Sequence, residues 1–155
     1  MLTRPRTLVA ALLITVSGII GVAQMEGFKG DAYLDSVGVP TIGFGSTEGV
    51  KMGDKIDPIR ALVRLQADAE SHASEIRACI GDVPLYQHEW DAYVSLSYNI
   101  GSGAFCRSTL LKKLKVMDYA GACREINRWV YAGGKRVKGL ENRRASEYSM
   151  CVGGT

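Results

Sequence analysis

Residues Glu26 to Thr41 read EGFKGDAYLDSVGVPT, and the rest of the chain is organised around them. Acidic residues stand at Glu26 and Asp35 with eight residues between them, and the hydroxyl of Thr41 follows after five more. A chain that leaves a helix at Glu26 and enters a β-hairpin carrying Asp35 and Thr41 places three polar groups across one cleft. Two carboxylates facing each other over a groove suit glycosidic-bond cleavage: one gives a proton to the departing oxygen, the other handles the water or the sugar cation. Taken singly, the three residues are ordinary. A carboxylate at a helix end is commonly solvated, Asp-Ser-Val-Gly is usual turn chemistry, and threonine is a good strand residue. Their joint spacing and the framed hairpin make the site reading the stronger one.

Downstream the pattern turns helical. Asp57-Pro58 reads as an N-cap and first helical position, and Ile59, Leu62, Val63, Ile76 and Ile80 mark the apolar face of a helix to about Cys79, stopped by Gly81. A second helix is expected from about Gln87 to Ile100, with Trp90, Tyr93, Val94, Leu96, Ser97 and Ile100 packed and Gly101 as its stop. Ser108 caps a short helix to about Val116. Asp118 caps another to about Tyr131, halted by Gly133-Gly134, and a last helix runs from about Leu140 to Cys151. Strands are expected only near Ala32–Asp35 and Thr41–Gly45. Helices beside one small antiparallel sheet make the chain α+β, with an N-terminal hairpin lobe joined by a long helix to a larger helical lobe.

At 155 residues the chain holds one domain plus an extension, enough to bury about two-thirds of its unfolded surface. The net charge of +3 hides a split. Residues 26–106 carry six Lys/Arg against twelve Asp/Glu, and residues 107–144 carry eleven against three. A solvated surface with ion pairs between lobes explains this, and a basic face toward an anionic polymer or membrane is the functional counterpart. No nucleic-acid-binding motif accompanies the basic residues, so nucleic acid is not an expected partner. Four cysteines, Cys79, Cys106, Cys123 and Cys151, lie outside any Cys-x-x-Cys pair, and His72 and His88 are not at ligand spacing from them, so no metal site and no cofactor are expected. An even count suits two disulfides in an oxidising compartment. Cys79 with Cys106 and Cys123 with Cys151 would each tie helix ends expected to be neighbours, while four buried free thiols stay open.

Glu26, Asp35, Thr41 and the following Ile42-Gly43-Phe44-Gly45 resemble the Glu-x8-Asp-x5-Thr signature of the phage-type lysozymes, the muramidase endolysins. Val83-Pro84-Leu85, Trp90-Asp91-Ala92, Tyr98-Asn99-Ile100-Gly101, Ser108-Thr109-Leu110-Leu111, Arg128-Trp129, Ala132-Gly133-Gly134, Gly139-Leu140 and Arg143-Arg144 are similar to family blocks and fall in the family's order. The resemblance covers residues 26–151. It implies a lysozyme-like fold and a monomeric enzyme. The implied reaction is hydrolysis of the β-1,4 bond between N-acetylmuramic acid and N-acetylglucosamine in peptidoglycan, for host cell lysis. It also implies inversion, with Glu26 protonating the departing oxygen while Asp35 and Thr41 hold a water beneath the anomeric carbon. That scheme needs carboxyl groups about 6.5–9.5 Å apart, against about 5–5.5 Å for a nucleophilic Asp. Many relatives carry His-Thr after the second hairpin glycine. This chain has Ser46-Thr47 and assigns no histidine there.

Residues 1–25 form the extension and 26–155 the catalytic domain. Arg4 and Arg6 precede an uncharged run of nineteen residues, Thr7 to Met25, just sufficient to cross a bilayer as a helix. The arginines predict an N-terminus in the cytoplasm and a domain beyond the inner membrane. A signal peptide cut after Ala23, a permanent anchor and a segment able to leave the bilayer all fit. Ten of the nineteen residues are strongly apolar, which is marginal for an anchor. Here the chain is similar to the signal-anchor-release subgroup, whose uncleaved segment escapes to the periplasm. Among further candidates, Tyr33, Tyr98 and Asn99 are expected to touch sugar, although core packing or helix-end hydrogen bonding explains each as well. One of Arg143 and Arg144 could brace Glu26.

Overall fold

The computed structural model describes residues 5–154. Element order is β1 (Thr7–Leu8), α1 (Val16–Glu26), β2 (Lys29–Leu34), β3 (Pro40–Gly43), α2 (Pro58–Ile80), β4 (Pro84–Leu85), α3 (Gln87–Ile100), α4 (Ser102–Cys106), α5 (Thr109–Lys115), α6 (Tyr119–Glu125), β5 (Tyr131–Ala132), β6 (Lys135–Arg136) and α7 (Lys138–Cys151). Turns of 3-10 type cover Val9–Ala11 and Ile126–Arg128. The architecture is α+β as expected, a hairpin lobe beside a helical lobe.

Two apolar clusters define the lobes. The smaller holds Val22 and Ala23 of α1, Phe44, and Ala61 and Leu65 of α2. The larger surrounds α3, where Trp90, Tyr93 and Leu96 are fully buried among Ile76 and Ile80 of α2, Phe105 of α4 and Leu114 of α5. The long helix α2 therefore contributes its first turns to one cluster and its last turns to the other. Its start is fixed by Asp57, whose side chain accepts the N–H groups of Ile59 and Arg60, and Pro58 stands at the first turn, where no N–H is needed.

The buried face of α2 differs from the expected one. Ala61, Leu65, Ala69 and Ala73 face inward along with the expected Ile76 and Ile80, whereas Ile59 and Val63 are exposed and Leu62 is about half as open as they are. Ala69 and Ala73 lie in the cluster around α3 and Ala61 stands against Gly43 of β3, and a face of small residues is weaker in a hydropathy pattern than the isoleucines and valines beside it.

Two further strand pairs appear beyond the hairpin of β2 and β3, namely β1 with β4 and β5 with β6. The helix expected to reach Tyr131 ends at Glu125 and tightens into a 3-10 turn. Gly133 and Gly134, with φ of 56° and 75°, form a two-residue hairpin turn rather than a helix stop. Cys79 bonds Cys106 and Cys123 bonds Cys151, with Cα separations of 5.8 and 5.7 Å.

The uncharged N-terminal run is broken into β1, the 3-10 turn and α1, and it packs on the larger cluster through Val9 and Leu12 and on the smaller through Val22 and Ala23. Val9, Leu12, Val22 and Ala23 are buried, while Leu13 and Val16 stay exposed. Among the described residues no helix is long and apolar enough to cross a membrane. Arg4 lies outside the described residues.

Candidate active site

Glu26 is the last residue of α1. Gly27 follows with φ 72°, a conformation glycine adopts without a Cβ penalty, and the chain turns there into β2. The carboxyl of Glu26 is 20 % exposed, and Arg143 of α7 donates from Nη1 to its Oε1 at 2.6 Å. The other oxygen faces the hairpin: a Cβ placed on Gly45 would stand 3.3 Å from Oε2. Gly45 has φ 90°, so both backbone conformation and space demand glycine beside the acid.

Asp35 stands where β2 runs into the hairpin turn. Its Oδ1 accepts the N–H groups of Val37 and Val39 at 3.0 and 2.8 Å, so one oxygen builds the turn. Among the described residues Oδ2 has no hydrogen-bond partner. Thr41 is buried in β3 and donates its hydroxyl proton to the Val39 carbonyl at 2.9 Å. A hydroxyl whose proton is committed presents only lone pairs to a water. Tyr33 is the cross-strand partner of Thr41, and paired residues project from the same face.

Tyr98 comes from the far end of α3. Its hydroxyl donates to the Phe44 carbonyl at 3.0 Å and would lie 3.7 Å from a Cβ on Gly45. Burial pushes its pKa up, with Asp68 and Glu26 adding to the rise, so it remains a neutral donor. It lines a groove of about 420 Å³ with Gly45, Thr47, Asp68, Ser71 and His72. Ser46 donates its hydroxyl to Asp68 and so ties the hairpin to α2. Asn99 is drawn the other way, accepting from Arg144 Nη2 at 2.6 Å.

Glu26 and Tyr98 thus meet at Gly45, and Asp35, Thr41 and Tyr33 gather around the turn of the same hairpin. Sequence reasoning singled out Arg143 only as one of two possible braces and passed over Glu147. Arg143, Arg144 and Glu147 stand at helical spacings of three and four residues, which places them on one face, and that was the available signal. Among the described residues no cluster of His, Cys, Asp and Glu is built to hold a metal ion.

Known proteins are similar to almost the whole chain. The phage lysozyme family model matches residues 23–147. An endolysin of Acyrthosiphon pisum secondary endosymbiont phage 1 is 38% identical over 141 residues, spanning 88% of this chain and 96% of its own. The SAR-endolysin of Bacteriophage PS119 is 37% identical over 148 residues, 94% of this chain and 86% of that protein. The solved endolysin from Escherichia coli O157:H7 phage FAHEc1 superposes with a TM-score of 0.82 at 35% identity, covering 92% of this chain and 95% of that one. The chain belongs to the phage lysozyme family and is a glycoside hydrolase of the muramidase type.

Proposed function

We propose that Glu26 is the general acid of this muramidase, and that Asp35 with Thr41 holds the water that attacks the anomeric carbon. One observation carries this reading. The carboxyl of Glu26 has one oxygen fixed by Arg143 while the other is turned to the hairpin at Gly45, beside a groove large enough for sugar. Glu26 gives its proton to the glycosidic oxygen between N-acetylmuramic acid and N-acetylglucosamine, and the bond from the anomeric carbon to that oxygen breaks. A water donating to Asp35 Oδ2 and to the lone pairs of Thr41 attacks from the opposite face and passes its proton to Asp35. The product is inverted. Tyr33 and Tyr98 offer aromatic faces to the glycan, whereas Asn99, held by Arg144, is not among the contacts of this reading.

The decisive experiment is Glu26→Gln on isolated sacculi. Removing the donor should cost about 10³-fold in rate while wall affinity persists. Clearing at the wild-type rate would end the assignment of Glu26 and require a different proton donor. The anomer first formed, read by NMR, tests the water: an α product supports Asp35 and Thr41 as its holders, a β product makes Asp35 a nucleophile.

The N-terminal run is a releasable anchor in this reading. Inserted, with its N-terminus in the cytoplasm and its domain in the periplasm, it would put Met25 in lipid and Glu26 at the surface. The packing of Val22 and Ala23 on Phe44, Ala61 and Leu65 would then be lost, and with it the alignment of Glu26. The tethered chain is inactive and the chain released into the periplasm is active. The names of the SAR-endolysin relatives support this. Full muramidase activity in washed membranes with the segment still inserted would sink it, and N-terminal sequencing of periplasmic protein distinguishes release from cleavage.

A further inference from the structure

Glu147 of α7 is fully buried, yet the reaction as drawn gives it no part. A carboxyl in that position is costly unless its oxygens are met. Its Oε1 accepts from Ser95 Oγ at 2.8 Å and from Arg143 Nε at 3.2 Å, while its Oε2 is met only by charge, 3.0 Å from Arg144 Nε with no hydrogen bond between them. Burial presses its pKa upward against the pull of Arg144 and Arg143.

The same Arg143 reaches Glu26. Its Nη1 donates to Glu26 Oε1 at 2.6 Å, and its Nη2 lies 3.5 Å from the Ser95 carbonyl. A guanidinium is a rigid planar fork, so anchoring Nε and Nη2 fixes where Nη1 points. Both anchors are themselves fixed: Glu147 sits one turn along α7 from Arg143, and Ser95 lies on α3, against which α7 packs. The groups facing Glu147 are Arg143 and Arg144 from its own helix and the uncharged Ser95 from α3. Glu26 of α1 joins them through Arg143. With both carboxyls ionised two cations balance two anions, and with Glu26 protonated as the donor one positive charge is left over.

We propose that Glu147 is a positioning residue: by holding Arg143 Nε it aims Nη1 at Glu26 and sets the direction of the proton donor. This rests on Glu26 being the acid. A residue that only neutralised two buried arginines would affect stability and nothing else.

Glu147→Gln keeps the shape, removes the charge and leaves Arg143 Nε only a weaker, neutral acceptor in place of the charge-assisted one. Misaiming the donor should lower kcat about 10- to 100-fold with KM within about twofold. The alkaline limb of the rate–pH profile should move to lower pH, because one added positive charge near the donor favours its ionised form. Adding Arg144→Met restores the charge balance, so the limb should return while kcat stays low. The Nε–H resonance of Arg143, followed by ¹⁵N NMR without substrate, should exchange slowly in the wild type and quickly in both variants. A folded Glu147→Gln protein with wild-type kcat and pH limb, or with an unchanged Arg143 signal, overturns the proposal. Where the single variant does not fold, kcat and the Arg143 signal of the double variant decide. Glu26→Gln separates the two readings, since an active Glu26→Gln enzyme faults the donor assignment and leaves the Arg143 signal to judge Glu147.

Discussion

Glu89 and Glu147 are both buried carboxylates met by guanidinium groups, and they differ in where those groups come from. Glu147 takes its cations from Arg143 and Arg144 on its own helix, so the partners cannot leave without α7 unwinding. Glu89, only 3 % exposed, takes Arg6 from the N-terminal arm: Arg6 Nη2 reaches its Oε1 at 2.8 Å and Nε its Oε2 at 3.1 Å. Arg6 also lies over the rings of Tyr86 and Tyr119, at 4.1 and 3.6 Å from their centroids. The first cluster is permanent and the second conditional. The arm has other fastenings of the same kind. Arg77 donates to the carbonyls of Val9 and Leu12, and Asp91 accepts from Thr15. A segment destined only for lipid would need none of these sockets on the helical lobe.

The largest expected effect tests whether the Glu147 cluster depends on its helix alone. Cys151 ends α7 and is bonded to Cys123 of α6, closing a separation of 28 residues. Replacing both by Ala should lower unfolding stability by about 3–4 kcal/mol in urea titration. Rate at 25 °C should hold within about twofold, because Arg143, Arg144 and Glu147 remain within one turn of each other. A matching fall in kcat would make the cluster as conditional as the other.

The same contrast explains what was legible in the sequence. Glu26, Asp35 and Thr41 could be read because they share one short stretch with its own hairpin. α3 was legible at both ends because Gln87 and Gly101 bound a helix packed on nearly every side. Arg6 with Glu89 could not be read, since 83 residues separate them and each alone is an ordinary surface residue. The inward face of α2 was hidden for another reason: alanines packed against a neighbouring helix carry less hydropathy than the exposed Ile59 and Val63. Long-range pairing and close approach are properties of the fold, and local pattern does not encode them.

Next in size is Arg6→Ala. It strands a buried carboxylate and removes two ring contacts. Because Arg6 is itself 28 % exposed and partly screened, the loss should sit at the lower end of the buried-pair range, about 3 kcal/mol. Adding Glu89→Gln should recover most of it, since Gln still accepts the Tyr86 N–H that Glu89 now accepts at 2.8 Å. Urea titration of the two variants measures the coupling. A loss below about 1 kcal/mol would show that Glu89 does not depend on the arm. Arg144→Met is the matching change at Glu147 and should cost less than Arg6→Ala, because Arg143 remains on the carboxyl and Met fills the space.

The smallest effect appears only in acid. Tyr119, one wall of the Arg6 cage, opens α6, whose N-cap is Asp118. The Gly121 N–H, and after it Lys113, hold the Asp118 carboxyl below the usual carboxylate range. Such a group contributes stability that is full above its unfolded pKa and is lost as pH falls through the lowered folded value. Asp118→Asn keeps the bond from Gly121, since an amide oxygen caps as well, and removes the titration. Its midpoint in urea should lie slightly below the wild type's near neutral pH and fall less steeply in acid, so that the two converge as Asp118 is protonated. If the cage is a separate conditional unit, protection of the Arg6 arm from protease should track that midpoint while the Arg143 Nε–H signal does not move. Equal responses at both sites would erase the distinction between them.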